Sequence, residues 1–171
     1  MKSIILAGGL GSRLSPLTLQ ISKQLLPVYN KPMIYYPLSL MILAGIKEFA
    51  LISTPQYLNS YKRLLGSGKE FGIKIEYFIQ KKPNGLPEAF KICKDFINNK
   101  PCSLILGDNI FFGSNFHNII HEDIKNHKSG ARIYLYKVSN PTMYGICKIK
   151  NNSVKQIIEK ANYKAEFDIA S

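Results

Sequence analysis

The chain carries its apolar residues in short compact blocks rather than in one long tract. Five blocks read as strands, at residues 3–7, 49–53, 73–79, 103–106 and 131–138. The first four are compact and apolar, as strands buried on both faces should be. Between them the spacing turns helical. Leu86, Ala89, Phe90, Cys93, Phe96 and Ile97 recur at offsets of three and four, which predicts one amphipathic helix with Pro87 tolerated in its first turn. A second stripe of Phe116, Ile119, Ile120 and Ile124 predicts a helix capped by Ser114 and ended before Gly130. Two further helices are predicted over residues 33–44 and 57–65, stopped by Gly45 and Gly66. Strand alternating with helix is the mark of βαβ units, so the expected fold is α/β: a Rossmann-like, mostly parallel sheet flanked by helices, in a single domain over residues 1–171. After Tyr144 the alternation lapses into two extended runs, 145–149 and 154–158, which predict a peripheral hairpin around Asn151 and Asn152. Residues 161–171 follow no clear pattern.

Composition narrows the function classes. A hydrophobic content of 46% over 171 residues supports one substantial core and not two. The net charge of +12 favours an anionic partner such as a phosphorylated ligand, a nucleic acid or an acidic membrane. No run of five or six like charges occurs, so much of that charge reads as solvated lysine. Cys93, Cys102 and Cys147 are odd in number and widely spaced, which suggests neither a disulfide framework nor a zinc motif and fits a reducing cytosol. The apolar residues 4–7 are too few for a signal peptide, and 33–44 fall short of the roughly 20 residues that span a bilayer. A soluble, cytoplasmic protein is expected.

The candidate chemistry begins at the first strand's carboxyl end, where open α/β sheets bind ligands. The chain there reads Gly8-Gly9-Leu10-Gly11-Ser12-Arg13-Leu14. Glycines let backbone N–H groups approach a phosphate closely, and Arg13 adds a bidentate cation. A Walker A loop would need Gly-Lys-Ser/Thr at its end, and a dinucleotide fingerprint would need glycine or alanine where Leu14 stands. His117 and His121 are spaced like two metal ligands, but Asn118 stands where the metalloprotease motif needs Glu, so no zinc site is expected.

The loop resembles the GGxGxRL signature of nucleotide-sugar pyrophosphorylases. Ser22-Lys23-Gln24-Leu25-Leu26-Pro27 and the run from Lys31-Pro32-Met33 to Pro37-Leu38-Ser39 resemble the glucose-1-phosphate thymidylyltransferase branch, as does Gly107-Asp108-Asn109-Ile110-Phe111-Phe112-Gly113. The resemblance reaches to about Lys160. It implies a GT-A-like nucleotidyltransferase fold and attack of a sugar-1-phosphate oxygen on the α-phosphorus of dTTP with release of pyrophosphate. Gly8, Gly11, Ser12 and Arg13 would cradle the triphosphate, and Arg13 with Lys23 would stabilise charge growing on phosphorus. Asp108 would hold Mg²⁺, which takes one or two carboxylates plus phosphate oxygens. Gln80 and Gly85 would meet the base, and Gln24 and Leu86 the nucleotide. Asn109, Gly145, Glu159 and Lys160 would meet the sugar. The resemblance also implies glucose-1-phosphate as co-substrate, a homo-oligomer that is a homotetramer in the family, and a supply of dTDP-sugar for surface polysaccharide.

Two departures stand out. Pro87 and Glu88 replace the Ala-Gln pair expected after Gly85-Leu86, which would rigidify the helix start and set a carboxylate near the base. The chain also ends soon after Glu159-Lys160, with Ala161 for an expected proline, before the rest of the sheet, the sugar pocket and a second metal-binding aspartate. The expectation is a complete activating half beside an incomplete acceptor half, with self-association through the missing part of the sheet. A nucleotide-binding remnant without turnover is therefore the alternative to an active enzyme. A nucleic-acid module lacks the clustered basic and aromatic motif it would need, and an oxidoreductase lacks the acidic residue after a second strand.

Overall fold

The structure, a computed structural model, describes residues 1–9, 11–82, 84–138, 144–151, 153–159 and 169–170. It divides into two units, residues 1–127 and 128–171. In chain order the first carries β1 (Lys2–Ala7), a small antiparallel pair β2 (Pro27–Val28) and β3 (Lys31–Pro32), α1 (Tyr35–Leu43), β4 (Glu48–Ser53), α2 (Pro55–Leu65) and β5 (Lys74–Ile79). It continues with α3 (Pro87–Ile92), α4 (Lys94–Ile97), β6 (Cys102–Leu106) and α5 (Phe116–Asn126). β1, β4, β5 and β6 form one parallel sheet in the order β5-β4-β1-β6, with Ile4 opposite Ala50 on one side and Leu104 on the other.

Alternate residues of each strand feed opposite layers, because side chains on a strand point to opposite faces. Ile5, Ala7, Phe49 and Leu51 pack with Leu38 and Met41 of α1, Tyr61 and Leu65 of α2, and Ile120 of α5. Ile4, Leu6, Ala50 and Ile52 pack with Ala89, Cys93 and Phe96. Covering both faces explains why these strands read as near-continuous apolar runs, each buried large side chain contributing about 1.5–3 kcal/mol. Burial also pushes the Cys93 thiol up to about 12, with Cys102 and Glu76 nearby adding to it, so Cys93 is a neutral packing group at neutral pH.

Three expectations need correction. The helix from Leu86 is two short helices, because Cys93 departs from helical geometry with φ −96° and ψ 16° while its N–H still reaches the Ala89 carbonyl at 3.0 Å. Ser114 is not the cap of α5: Asn115 takes that place at φ 57°, a left-handed conformation asparagine tolerates, and the helix ends at Asn126, ahead of Gly130. Among the described residues the strand expected over residues 131–138 shrinks to β7 (Tyr136–Lys137), the two residues set in a regular antiparallel ladder, opposite Ala170 and Ile169.

The second unit adds β8 (Gly145–Lys150), β9 (Ser153–Glu159) and β10 (Ile169–Ala170), giving an antiparallel sheet in the order β7-β10-β8-β9. β8 and β9 form the expected hairpin with an irregularity between Lys148 and Ile149, and Asn151 turns it at φ 51°. Asn152 lies outside the described residues, as do 160–168 and 171. Among the described residues no helix is long and apolar enough to cross a membrane.

Candidate functional site

The sheet order reverses at β1, whose neighbours are β4 on one side and β6 on the other. Crevices open at such switch points beyond the carboxyl ends of the strands. Here β1 runs into the glycine loop and β6 into Gly107-Asp108. The Gly107 N–H donates to the Leu6 carbonyl at 2.9 Å, so both strand ends stay side by side one residue past the sheet. A Cβ at Gly107 would stand 2.9 Å from Ile34 Cδ1 and 3.2 Å from both Ala7 Cβ and Gln24 Cγ. Glycine is what lets this turn come close enough to bring Asp108 to the loop.

A cleft of about 240 Å³ lies there, lined by Gly8, Gly9, Gly11, Ser12, Arg13, Leu14, Lys23, Gln24 and Asp108. Seven of these are residues the sequence singles out, drawn from three separate stretches of chain. Gly9 and Leu14 were not assigned a part, although both belong to the same loop motif. Gly11 sits at φ 59°, and a Cβ there would come within 2.9 Å of Thr18 Cγ2, so the loop's return past Thr18 requires glycine. Thr18 Oγ1 donates to the Gly11 carbonyl at 2.9 Å and ties the loop down. Arg13 follows in a 3₁₀ turn, Ser12–Leu14, exposed and without an ion pair among the described residues.

Lys23 opens another 3₁₀ turn, Lys23–Leu25, and its Nζ donates to Asp108 Oδ2 at 2.8 Å. The two side chains are 33% and 27% exposed, so this pair is worth little to folding, about 0–1 kcal/mol for well-solvated pairs. What it does is place a cation and a carboxylate on facing walls of the cleft. The turn is held from below by a buried hydroxyl network: Ser22 Oγ donates to Gln24 Oε1 at 2.7 Å, and the Tyr61 hydroxyl lies 2.7 Å from Ser22 Oγ and 3.4 Å from Gln24 Oε1. Burial raises the Tyr61 phenol far above its ordinary value against the opposing Ser22 bond, with the Asp108 charge adding to the rise, so it stays a neutral donor. Ser22 stands in the motif that carries Lys23 without a part of its own, and Tyr61 goes unmarked in the sequence, where nothing distinguishes a supporting hydroxyl from an ordinary core residue.

The remaining candidates are distributed differently. Gln80 follows β5, buried at 3% exposure, with its N–H donating to the Ser53 carbonyl at 2.9 Å. Gly85, at φ 91°, and Leu86, half exposed, lead into α3 with Pro87 at its start. Asn109 turns back on its own strand, where its Oδ1 accepts from the Leu106 N–H at 3.3 Å. Gly145 and Glu159 are direct partners across the β8–β9 ladder of the second unit. Lys160 lies outside the described residues. His121 Nδ1 sits 3.0 Å from the Ala44 carbonyl, and among the described residues no three His, Cys, Asp or Glu side chains cluster as metal ligands.

The chain is similar to known proteins in sequence and in fold. Residues 2–171 match the family described as nucleotidyl transferase. The chain belongs to that family. Its relatives include the glucose-1-phosphate thymidylyltransferase of Neisseria meningitidis, 46% identical over 99% of this chain and 59% of the relative, and that of Mycolicibacterium smegmatis, 49% identical over 85% of this chain and 50% of the relative. This nucleotidyl transferase chain thus spans half to about six-tenths of the length of those two relatives. A crystal structure bearing the same enzyme name from Bacillus anthracis, in complex with a sucrose, superposes with a TM-score of 0.90 at 37% identity, covering 99% of this chain and 68% of that one. A UDP-glucose pyrophosphorylase complexed with UDP-glucose shares the fold at a TM-score of 0.83 and 22% identity, covering 99% of this chain and 72% of that one.

Proposed function

We propose that this nucleotidyl transferase chain binds dTTP in the cleft and transfers its thymidylyl group to glucose-1-phosphate, giving dTDP-glucose and pyrophosphate. The observation that carries the reading is the meeting of the glycine loop, Lys23 and Asp108 at the switch point of the sheet. The names of its relatives supply the nucleotide and the sugar. In the reaction a phosphate oxygen of glucose-1-phosphate attacks the α-phosphorus, and the bond from that phosphorus to the bridging oxygen of the pyrophosphate breaks, its electron pair leaving with the pyrophosphate. Positioning and charge stabilisation do most of the work in such transfers.

Gly8, Gly11 and Ser12 turn backbone N–H groups toward the triphosphate, and Arg13 clamps it. Lys23 exchanges part of its bond to Asp108 for a bond to the α-phosphate as negative charge grows there. Asp108 fits Mg²⁺, because a lone carboxylate beside a phosphate cradle matches an ion that completes its shell with phosphate oxygens and water. When bound, the ion would neutralise charge on the triphosphate. Gln80 and Gly85 are assigned to the base, Gln24 and Leu86 to the nucleotide, and Asn109, Gly145, Glu159 and Lys160 to the sugar. The match over residues 2–171 spans both units and supports one nucleotidyltransferase domain. The product suits a cytoplasmic supply of dTDP-sugars such as dTDP-rhamnose for surface polysaccharide, made by a homo-oligomer.

Calorimetric titration with Mg²⁺ present tests the cleft assignment. Binding of dTTP is expected to be at least about tenfold tighter than binding of dTMP, since dTMP keeps the α-phosphate for Lys23 and lacks the β- and γ-phosphates that Arg13 and the loop N–H groups would hold. Equal affinity for the two would remove the triphosphate from this loop.

A further inference from the structure

Gln80 joins the nucleotide loop to a carboxylate that the reaction does not use. From the end of β5 its side chain crosses the end of β4 to β1, where Oε1 stands 3.0 Å from the position a Cβ on Gly8 would take. Its other end, Nε2, donates to Glu88 Oε2 at 2.6 Å. Glu88 Oε1 in turn accepts from Asn84 Nδ2 at 2.9 Å. Glu88 sits in the first turn of α3, whose start Pro87 fixes.

A primary amide has one donor end and one acceptor end, whereas an ionised carboxylate only accepts. Rotating the Gln80 amide by half a turn would set its oxygen against Glu88 and cost a charge-assisted bond. The Asn84 amide, followed by that of Gln80, holds the Glu88 carboxyl below its usual range, which keeps it ionised at neutral pH. The amide is therefore locked with its carbonyl oxygen toward Gly8.

We infer that Glu88 is a specificity-determining positioning residue: it locks Gln80 so that the base meets an acceptor and no donor at that edge. The inference rests on the proposed dTTP site, with Gln80 at the base. Thymine and uracil carry a ring N–H that such an acceptor can take. Cytosine carries a bare ring nitrogen at the same place, which repels it. Released from Glu88, the amide would turn and offer its NH₂ to cytosine. The lock discriminates between base edges and leaves the choice between thymine and uracil to other contacts.

The test is titration of the whole chain with dTTP and dCTP in Mg²⁺, for the wild type, Glu88→Gln, Gln80→Ala and the double variant. Glu88→Gln is expected to lower the dTTP to dCTP affinity ratio by about tenfold, the equivalent of one hydrogen bond, and to change nothing in the Gln80→Ala background. A merely structural role would weaken both nucleotides alike and leave the ratio intact. A wild-type preference for dTTP that survives Glu88→Gln, or a ratio that shifts equally without Gln80, overturns the inference and leaves the function standing. A wild type that binds neither nucleotide overturns both.

Discussion

Replacing Lys23 with alanine is expected to slow thymidylyl transfer by about 10²- to 10³-fold in single-turnover measurements, with a much smaller loss of dTTP affinity. The size follows from how firmly the ammonium is placed. Its 3₁₀ turn is closed by Leu25 N–H to the Ser22 carbonyl at 2.9 Å and Leu26 N–H to the Lys23 carbonyl at 3.1 Å. The Ile34 N–H donates to the Gln24 carbonyl at 2.9 Å and joins the turn to the residues before α1. A preorganised cation costs no reorganisation when charge develops, and its removal is felt in the transition state more than in the bound substrate. Lys23→Arg is not expected to restore the rate, because a planar fork cannot occupy the position of a point charge. A Lys23→Ala rate within about threefold of wild type would remove Lys23 from the chemistry.

The second large effect concerns Asp108, and its two readouts should move in opposite directions. Asp108→Asn is expected to cut turnover by at least about 10²-fold and to raise the Mg²⁺ concentration that supports the residual rate. Binding of dTTP without Mg²⁺ should strengthen, since one negative charge leaves the wall facing the triphosphate and Lys23 is released from its 2.8 Å bond. Stability should hardly change for a pair this exposed. Parallel losses of dTTP binding and turnover would instead assign Asp108 a structural role in the turn after β6.

Much of the fold was legible because its signals are local. β1, β4, β5 and β6 each sit between two covered faces, so their apolar runs mark them to within a residue. The glycine loop could be placed because it follows a strand, and the family motifs pointed to Lys23 and Asp108. What no local signal carries is that these two side chains, 85 residues apart, bond to each other. The same holds for Tyr61 under Gln24, which depends on α2 crossing behind the turn. Residues 131–135 carry a strand's pattern without strand structure, since alternation along the chain does not by itself make a backbone ladder. The departure at Glu88 was visible, and its meaning was not: a carboxylate near a base looks unfavourable until Gln80 and Asn84 are seen to bind it.

The proposed role of this cleft is to activate the α-phosphorus of dTTP toward glucose-1-phosphate. The most direct test follows a label on the α-phosphate of dTTP through incubation of the purified chain with glucose-1-phosphate and Mg²⁺, beside Asp108→Asn. Label is expected in dTDP-glucose with an equal release of pyrophosphate, dependent on both substrates and all but lost in the variant. Bound dTTP with no label transferred would contradict that role and leave a chain that holds nucleotide without turning it over.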